Sequence, residues 1–255
     1  FKTPDIIFYL FIYNNKAYLG IDLAGRDLSK RDYKIYQSRT SIKGTLAYSL
    51  IRYSGFDKKN ILVDIFAREG IIPIEAGLYA LDYPVNYFTK DKFLFQKFKH
   101  LENKDFDKFL NEIDKKINKF KTKIYSIDSN LKLVRFAQKN AKIAGICQQL
   151  NFSKKGVGWL DLKFDKEKLD HIVSYPIQIT RRRDNKKIKN IYDEIFYQAE
   201  FVLNDKGNIV LLSKKTESLK RYAKRYNFKI TKEKKVYSGE QPFYILKFIK
   251  EDENG

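Results

Sequence analysis

The residue types best suited to chemistry sit in one stretch, Ile61-Leu62-Val63-Asp64-Ile65-Phe66-Ala67-Arg68-Glu69-Gly70-Ile71-Ile72-Pro73-Ile74-Glu75-Ala76. An apolar run ending in an acid has the composition of a buried strand, and Pro73 suits the first turn of a helix. Strand, tight bend and helix make the first unit of a doubly wound α/β sheet. There, ligands lie at the carboxyl ends of the strands, against the free N–H groups of a helix N-terminus. Asp64 to Gly70 is therefore a candidate cofactor-binding loop. One glycine is few for such a loop, and a plain strand-loop-helix accounts for the same residues equally well. Asp128 carries a similar pair of readings. It closes a second short strand, Ile124 to Ile127, where an acid can accept hydrogen bonds from ribose hydroxyls. It also precedes a helix at Leu131 that it can cap.

Other side chains point to the partner. The chain carries 51 Lys+Arg against 31 Asp+Glu, a net charge of +20 and a pI near 9.7. A field of that sign attracts polyanions, and nucleic acid is the expected partner, although a lysine-rich composition would coat any surface alike. Arg181-Arg182-Arg183 put three cations on one loop, as phosphate contacts require and as a solvated charge run also would. Trp159 and Tyr175 offer faces for stacking on a base, but such residues more often pack inside. The single cysteine, Cys147, excludes an internal disulfide, reads as a small structural residue and points to a reducing, cytoplasmic compartment. Two histidines leave little for a zinc site, and no metal is expected. No run approaches the roughly 18 apolar residues of a membrane span, and Phe8 to Tyr13 has strand rather than signal composition. Methionine is absent, even at position 1, so the sequence is expected to be a fragment or to lack modified methionines.

The positioning elements follow from periodicity. Residues 6–13 and 16–23 form a hairpin about Asn14-Asn15, which is unstable alone and is expected to belong to a larger sheet. Gly25 to Tyr36 is a connector. Ser41 caps a helix running through Ala47 to Tyr53, with Leu46, Leu50 and Ile51 inward and Gly55 at its end. After the helix from Ile71 to Leu81, residues 91–121 read as an amphipathic helical insertion. The alternation then resumes with the strand ending at Asp128 and a helix from Leu131 to Ala144, with Leu133, Phe136, Ala137 and Ala141 inward. Strands follow at Leu150 to Ser153 and Leu169 to Tyr175, then a helix at Ile188 to Leu203, a turn at Asn204-Asp205-Lys206-Gly207 and a strand at Asn208 to Leu212. A basic helix, Glu217 to Tyr226, and an antiparallel pair, Phe228 to Val236 and Phe243 to Ile249, close the chain.

That order, with an acid after the second strand, resembles the class I S-adenosylmethionine-dependent methyltransferases. Nearer still are the tRNA guanosine-N2 methyltransferases that carry a THUMP RNA-binding domain. Tyr18-Leu19-Gly20-Ile21-Asp22-Leu23-Ala24-Gly25 through Leu28-Ser29-Lys30-Arg31-Asp32-Tyr33 resembles the segment leaving the THUMP region, L-H-K-R-G-Y in the family. Ser41-Ile42-Lys43-Gly44-Thr45-Leu46-Ala47-Tyr48 is similar to its linker helix, and Ile72-Pro73-Ile74-Glu75-Ala76 matches its I-P-I-E-A. Ile124-Tyr125-Ser126-Ile127-Asp128 and Gln138-Lys139-Asn140-Ala141 resemble its second strand and helix. The resemblance implies a Rossmann-like, doubly wound, seven-stranded and mostly parallel sheet, with the last strand antiparallel and a small N-terminal β appendage. Residues 1–36 would end a THUMP-like and linker region, 37–250 form the methyltransferase-type domain, and 251–255 a tail. The implied activity is N2-methylation of a guanosine in tRNA, with S-adenosylmethionine touching Asp64, Phe66, Gly70, Asp128 and Ser129, catalysis at Ser174, Tyr175 and Pro176, and RNA on Arg181, Arg182 and Arg183.

Two departures set a second expectation. Where the family has D-P-x-C-G-S-G-T, this chain has Asp64-Ile65-Phe66-Ala67-Arg68-Glu69-Gly70-Ile71, with Arg68 and Glu69 in the space of the cofactor's methionine part. Where it has T-N-P-P-Y, this chain has Ser174-Tyr175-Pro176-Ile177-Gln178. In the family's motif the Asn amide oxygen and a backbone carbonyl accept hydrogen bonds from the target amine, and Tyr175 has no such amide. The acid expected on the adenine amine is also missing: Lys154-Lys155-Gly156 stand there, with Asp161 the nearest candidate. The alternative is thus a degenerate family member that binds RNA or partners an active subunit.

Overall fold

The computed structural model describes residues 4–179 and 185–251. Arg181, Arg182 and Arg183 lie outside the described residues. In chain order the regular elements are β1 (Phe8–Tyr13), β2 (Lys16–Ile21), α1 (Gly44–Ser54), β3 (Leu62–Asp64), α2 (Ile71–Ala80), α3 (Phe106–Asp114), β4 (Ile124–Asp128), α4 (Leu131–Ile143), β5 (Asn151–Lys154), β6 (Leu169–Ser174), α5 (Asn185–Val202), β7 (Leu203–Ser213), α6 (Glu217–Arg225), β8 (Phe228–Ser238) and β9 (Gln241–Lys250). They fall into two units, residues 4–31 with 82–118, and residues 32–81 with 119–251.

In the first unit β1 and β2 pair antiparallel from Phe8↔Ile21 to Tyr13↔Lys16. Asn14 and Asn15 both take positive φ, 46° and 58°, the two-residue turn whose twist matches the strands. Among the described residues this sheet has two strands, and Phe8 and Leu19 remain 66% and 75% exposed. Within 82–118 the chain makes short 3-10 turns and α3, whose first turn is capped by the Asp105 carboxylate accepting from the Lys108 N–H at 2.8 Å.

The second unit is built on a seven-stranded sheet of order β5-β4-β3-β6-β7-β9-β8. Strands β5, β4, β3, β6 and β7 run parallel to one another, and β9 runs antiparallel to both β7 and β8. Val63, Ile127, Ile172 and Ile209 are fully buried at its centre, since helices cover both faces of a parallel sheet. The chain leaves β3 towards β4 and β5, then returns to the other side of β3 as β6. That reversal is the topological switch point, where a crevice opens beyond the strands' carboxyl ends.

Three details differ from the sequence reading. Helix α1 begins at Gly44 with Lys43 at its N-cap and no side-chain cap, while the Ser41 hydroxyl is buried without a partner. The buried row of α4 is Val134, Ala137, Asn140 and Ala141, with Leu133 and Phe136 half-buried; the Asn140 amide faces inward because it pairs with backbone groups of Tyr36 and Glu69. The expected turn at residues 204–207 is a bulge inside β7: the pairing steps from Leu169↔Leu203 to His171↔Asn208, and the Asn204 amide donates to Asp170 at 2.7 Å. Among the described residues no helix is long and apolar enough to cross a membrane.

Candidate active site at the carboxyl edge of the sheet

Asp64, Asp128 and Ser174 are the last residues of β3, β4 and β6, so the strand order β4-β3-β6 gathers them at one edge. Asp64 and Ser174 are 1% and 0% exposed. The Ser174 hydroxyl donates to Asp64 Oδ1 at 2.5 Å, and the Phe66 N–H is shared between Asp64 Oδ1 at 3.1 Å and Ser174 Oγ at 3.2 Å. Burial pushes the Asp64 carboxyl up to about 7, against the pull of these hydrogen bonds and of Arg68. Asp128 is committed on both oxygens, Oδ2 accepting from the Arg68 N–H and Oδ1 from the Asn130 N–H, each at 2.9 Å. Ser129, between them in sequence, is exposed.

The bend from Ile65 to Gly70 is closed by the Ala67 N–H on the Ile127 carbonyl at 2.9 Å and the Gly70 N–H on the Ala67 carbonyl at 2.7 Å. Arg68 has φ of 48°, a conformation that costs an L-residue roughly 1 to 2 kcal/mol and is held here by the Asp128 carboxylate. Gly70 has φ of 84°, and a Cβ there would sit 2.7 Å from the Ala137 Cβ. Gly70 thus lets the loop press against α4. Asn140 fixes the same loop from behind: its amide donates to the Glu69 carbonyl at 3.0 Å and the Tyr36 carbonyl at 2.9 Å, and its oxygen accepts from the Tyr36 N–H at 3.0 Å. Glu69 is buried, and its Oε2 has no hydrogen-bond partner.

The Arg68 side chain reaches across to the end of β6. Nη1 donates to the Tyr175 carbonyl at 2.6 Å and Nη2 to the Pro176 carbonyl at 3.4 Å, while Cζ stands 4.6 Å from the centre of the Tyr175 ring. Tyr175 is buried and its ring meets Phe243 edge-on at 6.0 Å, so it packs and does not offer a free face. The Pro176 carbonyl also accepts from the Gln178 amide at 2.8 Å, whose oxygen accepts from the Ser213 hydroxyl at 3.0 Å and the Lys214 N–H at 2.8 Å. The Tyr192 hydroxyl donates to the Ile177 carbonyl at 2.7 Å, and burial pushes that phenol up to about 12. Burial lowers the Arg68 pKa from its ordinary value, opposed chiefly by the Asp64 charge.

The cleft lined by Thr40, Ile42, Asp64, Phe66, Arg68 and Tyr175 holds about 10 Å³, the room of one water. The residues present do not fit the methionine part of S-adenosylmethionine in this arrangement: the Arg68 side chain crosses to the Tyr175 and Pro176 carbonyls and the cleft beside it has room for one water.

The structure brings Asp64, Asp128, Ser174, Tyr175 and Pro176 to one edge of the sheet, and two residues that the sequence reading did not single out hold their surroundings. Gln178 is legible as a polar residue four after the end of the β6 strand, and Asn140 as a polar residue three after Ala137 on the inner row of α4. Asp161 is elsewhere: its N–H donates to Gln198 at 3.0 Å, and it lines a groove with Lys166, Tyr197 and Phe201 beside α5. Trp159 is 50% exposed, with the Lys155 ammonium 4.5 Å from its ring. Cys147 is half-buried, which pushes its thiol up. Among the described residues no three His, Cys, Asp or Glu side chains cluster as metal ligands would.

Known proteins are similar to this chain in sequence or in architecture. The tRNA (guanine(6)-N2)-methyltransferase of Methanocaldococcus jannaschii is 26% identical over 237 residues, covering 92% of this chain and 61% of the relative. The ribosomal RNA large subunit methyltransferase K/L of Buchnera aphidicola subsp. Acyrthosiphon pisum is 28% identical over 203 residues, covering 77% of this chain and 29% of the relative. The chain thus spans less than two thirds of the length of these relatives. Among solved structures, SMU.472 in complex with SAH superposes with a TM-score of 0.79 at 20% identity, covering 97% of this chain and 62% of that one. TrmN from Thermus thermophilus superposes at 0.70 with 19% identity, covering 98% and 61%. Both share the fold. Residues 31–242 match the UPF0020 family, described as RMKL-like, methyltransferase domain, and the chain belongs to that family.

Proposed function

We propose that this chain is the methyltransferase domain of an S-adenosylmethionine-dependent RNA-modifying protein whose substrate is the exocyclic N2 amine of a guanosine in tRNA. The observation that carries this reading is the convergence of Asp64, Asp128 and the Ser174–Pro176 segment at the switch point of a sheet of this family. The cofactor class is supported by SMU.472, solved with SAH, and the substrate class by the two RNA methyltransferases above. The net charge of +20 favours a nucleic-acid partner. S-adenosylmethionine supplies the methyl group. For the chain's own residues, the reading gives Asp128 to the ribose hydroxyls, the carbonyls of Tyr175 and Pro176 to the target amine, and Arg181, Arg182 and Arg183 to phosphates.

Calorimetric titration with S-adenosylhomocysteine tests the cofactor assignment. Binding is expected in the native chain or in a variant with Arg68→Gly, and a large loss is expected with Asp128→Ala. Absence of heat at millimolar ligand from both the native chain and the Arg68→Gly variant overturns it.

A second reading is favoured by two observations: Tyr175 replaces the amide-bearing residue, and Arg68 sits on the acceptor carbonyls. Loss of one positioned polar contact costs about 10² to 10³ in rate. On this reading the domain binds RNA, or supports an active subunit, without transferring methyl groups. It predicts salt-dependent tRNA binding with no label incorporated from methyl-labelled cofactor.

A further inference from the structure

The carbonyls of Tyr175 and Pro176 face a cation supplied by the chain itself. Arg68 brings two guanidinium N–H groups to these two oxygens, 2.6 and 3.4 Å away, and lays its plane within 4.6 Å of the Tyr175 ring centre. A planar, nitrogen-bearing group on two backbone carbonyls above an aromatic face is also what the amino edge of a nucleobase would present. The contact is not a relaxed one. Arg68 has a left-handed backbone, its N–H is bound to Asp128, and Glu69 beside it is buried with Oε2 unpartnered. Strain and an unsatisfied carboxylate oxygen at one bend mark an arrangement held by its surroundings and open to change when a ligand offers better partners.

We infer that Arg68 is a built-in occupant of the Tyr175 and Pro176 carbonyls, and that it must withdraw before a base amine or the cofactor's amino-acid end can enter. The inference rests on the methyltransferase reading for the amine-accepting role of these carbonyls and the identity of the incoming ligands, and on the geometry for the place of Arg68. Gln178 adds a second restraint, since its amide holds the Pro176 carbonyl at 2.8 Å in the orientation that Arg68 uses.

The test replaces the occupant and offers a substitute. Arg68→Gly removes the side chain and suits the positive φ. Methylguanidinium at about ten times its dissociation constant should raise the melting temperature of this variant by about 3–6 °C and leave the native chain unmoved. The same variant should bind S-adenosylhomocysteine about tenfold more tightly than the native chain, as removal of a competing internal group implies. Equal response of native chain and variant to methylguanidinium, or none in the folded variant, overturns the inference. A variant that responds to methylguanidinium but not to S-adenosylhomocysteine keeps Arg68 as the occupant and overturns the methyltransferase reading. Should Arg68→Gly not fold, phenylglyoxal labelling of the native chain decides: Arg68 should react about tenfold or more slowly than exposed Arg221, and equal rates overturn the inference.

Discussion

The Ser174 hydroxyl donates to Asp64 Oδ1 at 2.5 Å, joining the ends of β6 and β3 across 110 residues of sequence. Burial raises the Asp64 carboxyl from its ordinary 3.8 to about 7. The folded chain therefore keeps a proton that the unfolded chain releases between about pH 4 and pH 7. Its contribution to stability is fully present below about pH 4 and is lost as pH rises through 7, by about 1.4 kcal/mol per unit. Urea unfolding of the native chain and of Asp64→Asn from pH 4 to 8 should show a stability difference with this slope. A flat difference would mean that Asp64 is not the group that titrates.

Gly70 should tolerate no side chain. Gly70→Ala adds a Cβ 2.7 Å from that of Ala137 and places it on a φ of 84°. Strain and overpacking together are expected to cost about 2–4 kcal/mol in chemical unfolding. A variant as stable as the native chain would show that the loop and α4 part easily.

Asn140 is a buried clamp with three hydrogen bonds, to Tyr36 twice and to Glu69 once. Asn140→Ala leaves two carbonyls and one N–H without partners and is expected to destabilise by about 2–4 kcal/mol. Amide exchange in the 65–70 bend should speed up in that variant, while exchange in β9 stays unchanged at equal distance from the unfolding midpoint. Uniform acceleration would make Asn140 a general core residue and not a clamp on the loop.

The arginine run supplies a prediction about charge. If Arg181, Arg182 and Arg183 each meet a phosphate, their joint replacement by alanine should reduce the slope of log affinity for tRNA against log salt by about 2–3. An unchanged slope assigns RNA binding to other cations.

Much of the fold was legible in the sequence because its signals are local. Apolar runs of strand length, an acid at the end of two of them, Pro73 at a helix start and the closing strand pair give the order of elements and hence the sheet. They also bring Asp64, Asp128 and Ser174 to one edge, since topology places the carboxyl ends of neighbouring parallel strands together. Where a local signal failed, a distant partner had overridden it. Asn140 joins the buried row of α4 in place of the expected Leu133 and Phe136, and its amide serves backbone groups of Tyr36 and Glu69. The four residues at 204–207, three of them polar, bulge out of β7 without ending the strand.

The sequence by itself determined the family, the sheet and the acids at its edge, and it showed Arg68 and Glu69 in the bend after β3. Only the tertiary structure decided what those residues do there. Arg68 finds carbonyls 107 and 108 residues away, Gly70 packs against Ala137, and Gln178 also donates to the carbonyl of Pro176. Periodicity fixes which way a side chain faces within its own element. Which hydrogen-bond partner it meets depends on how far the side chain reaches once the strands are aligned, and no local pattern in the chain carries that distance.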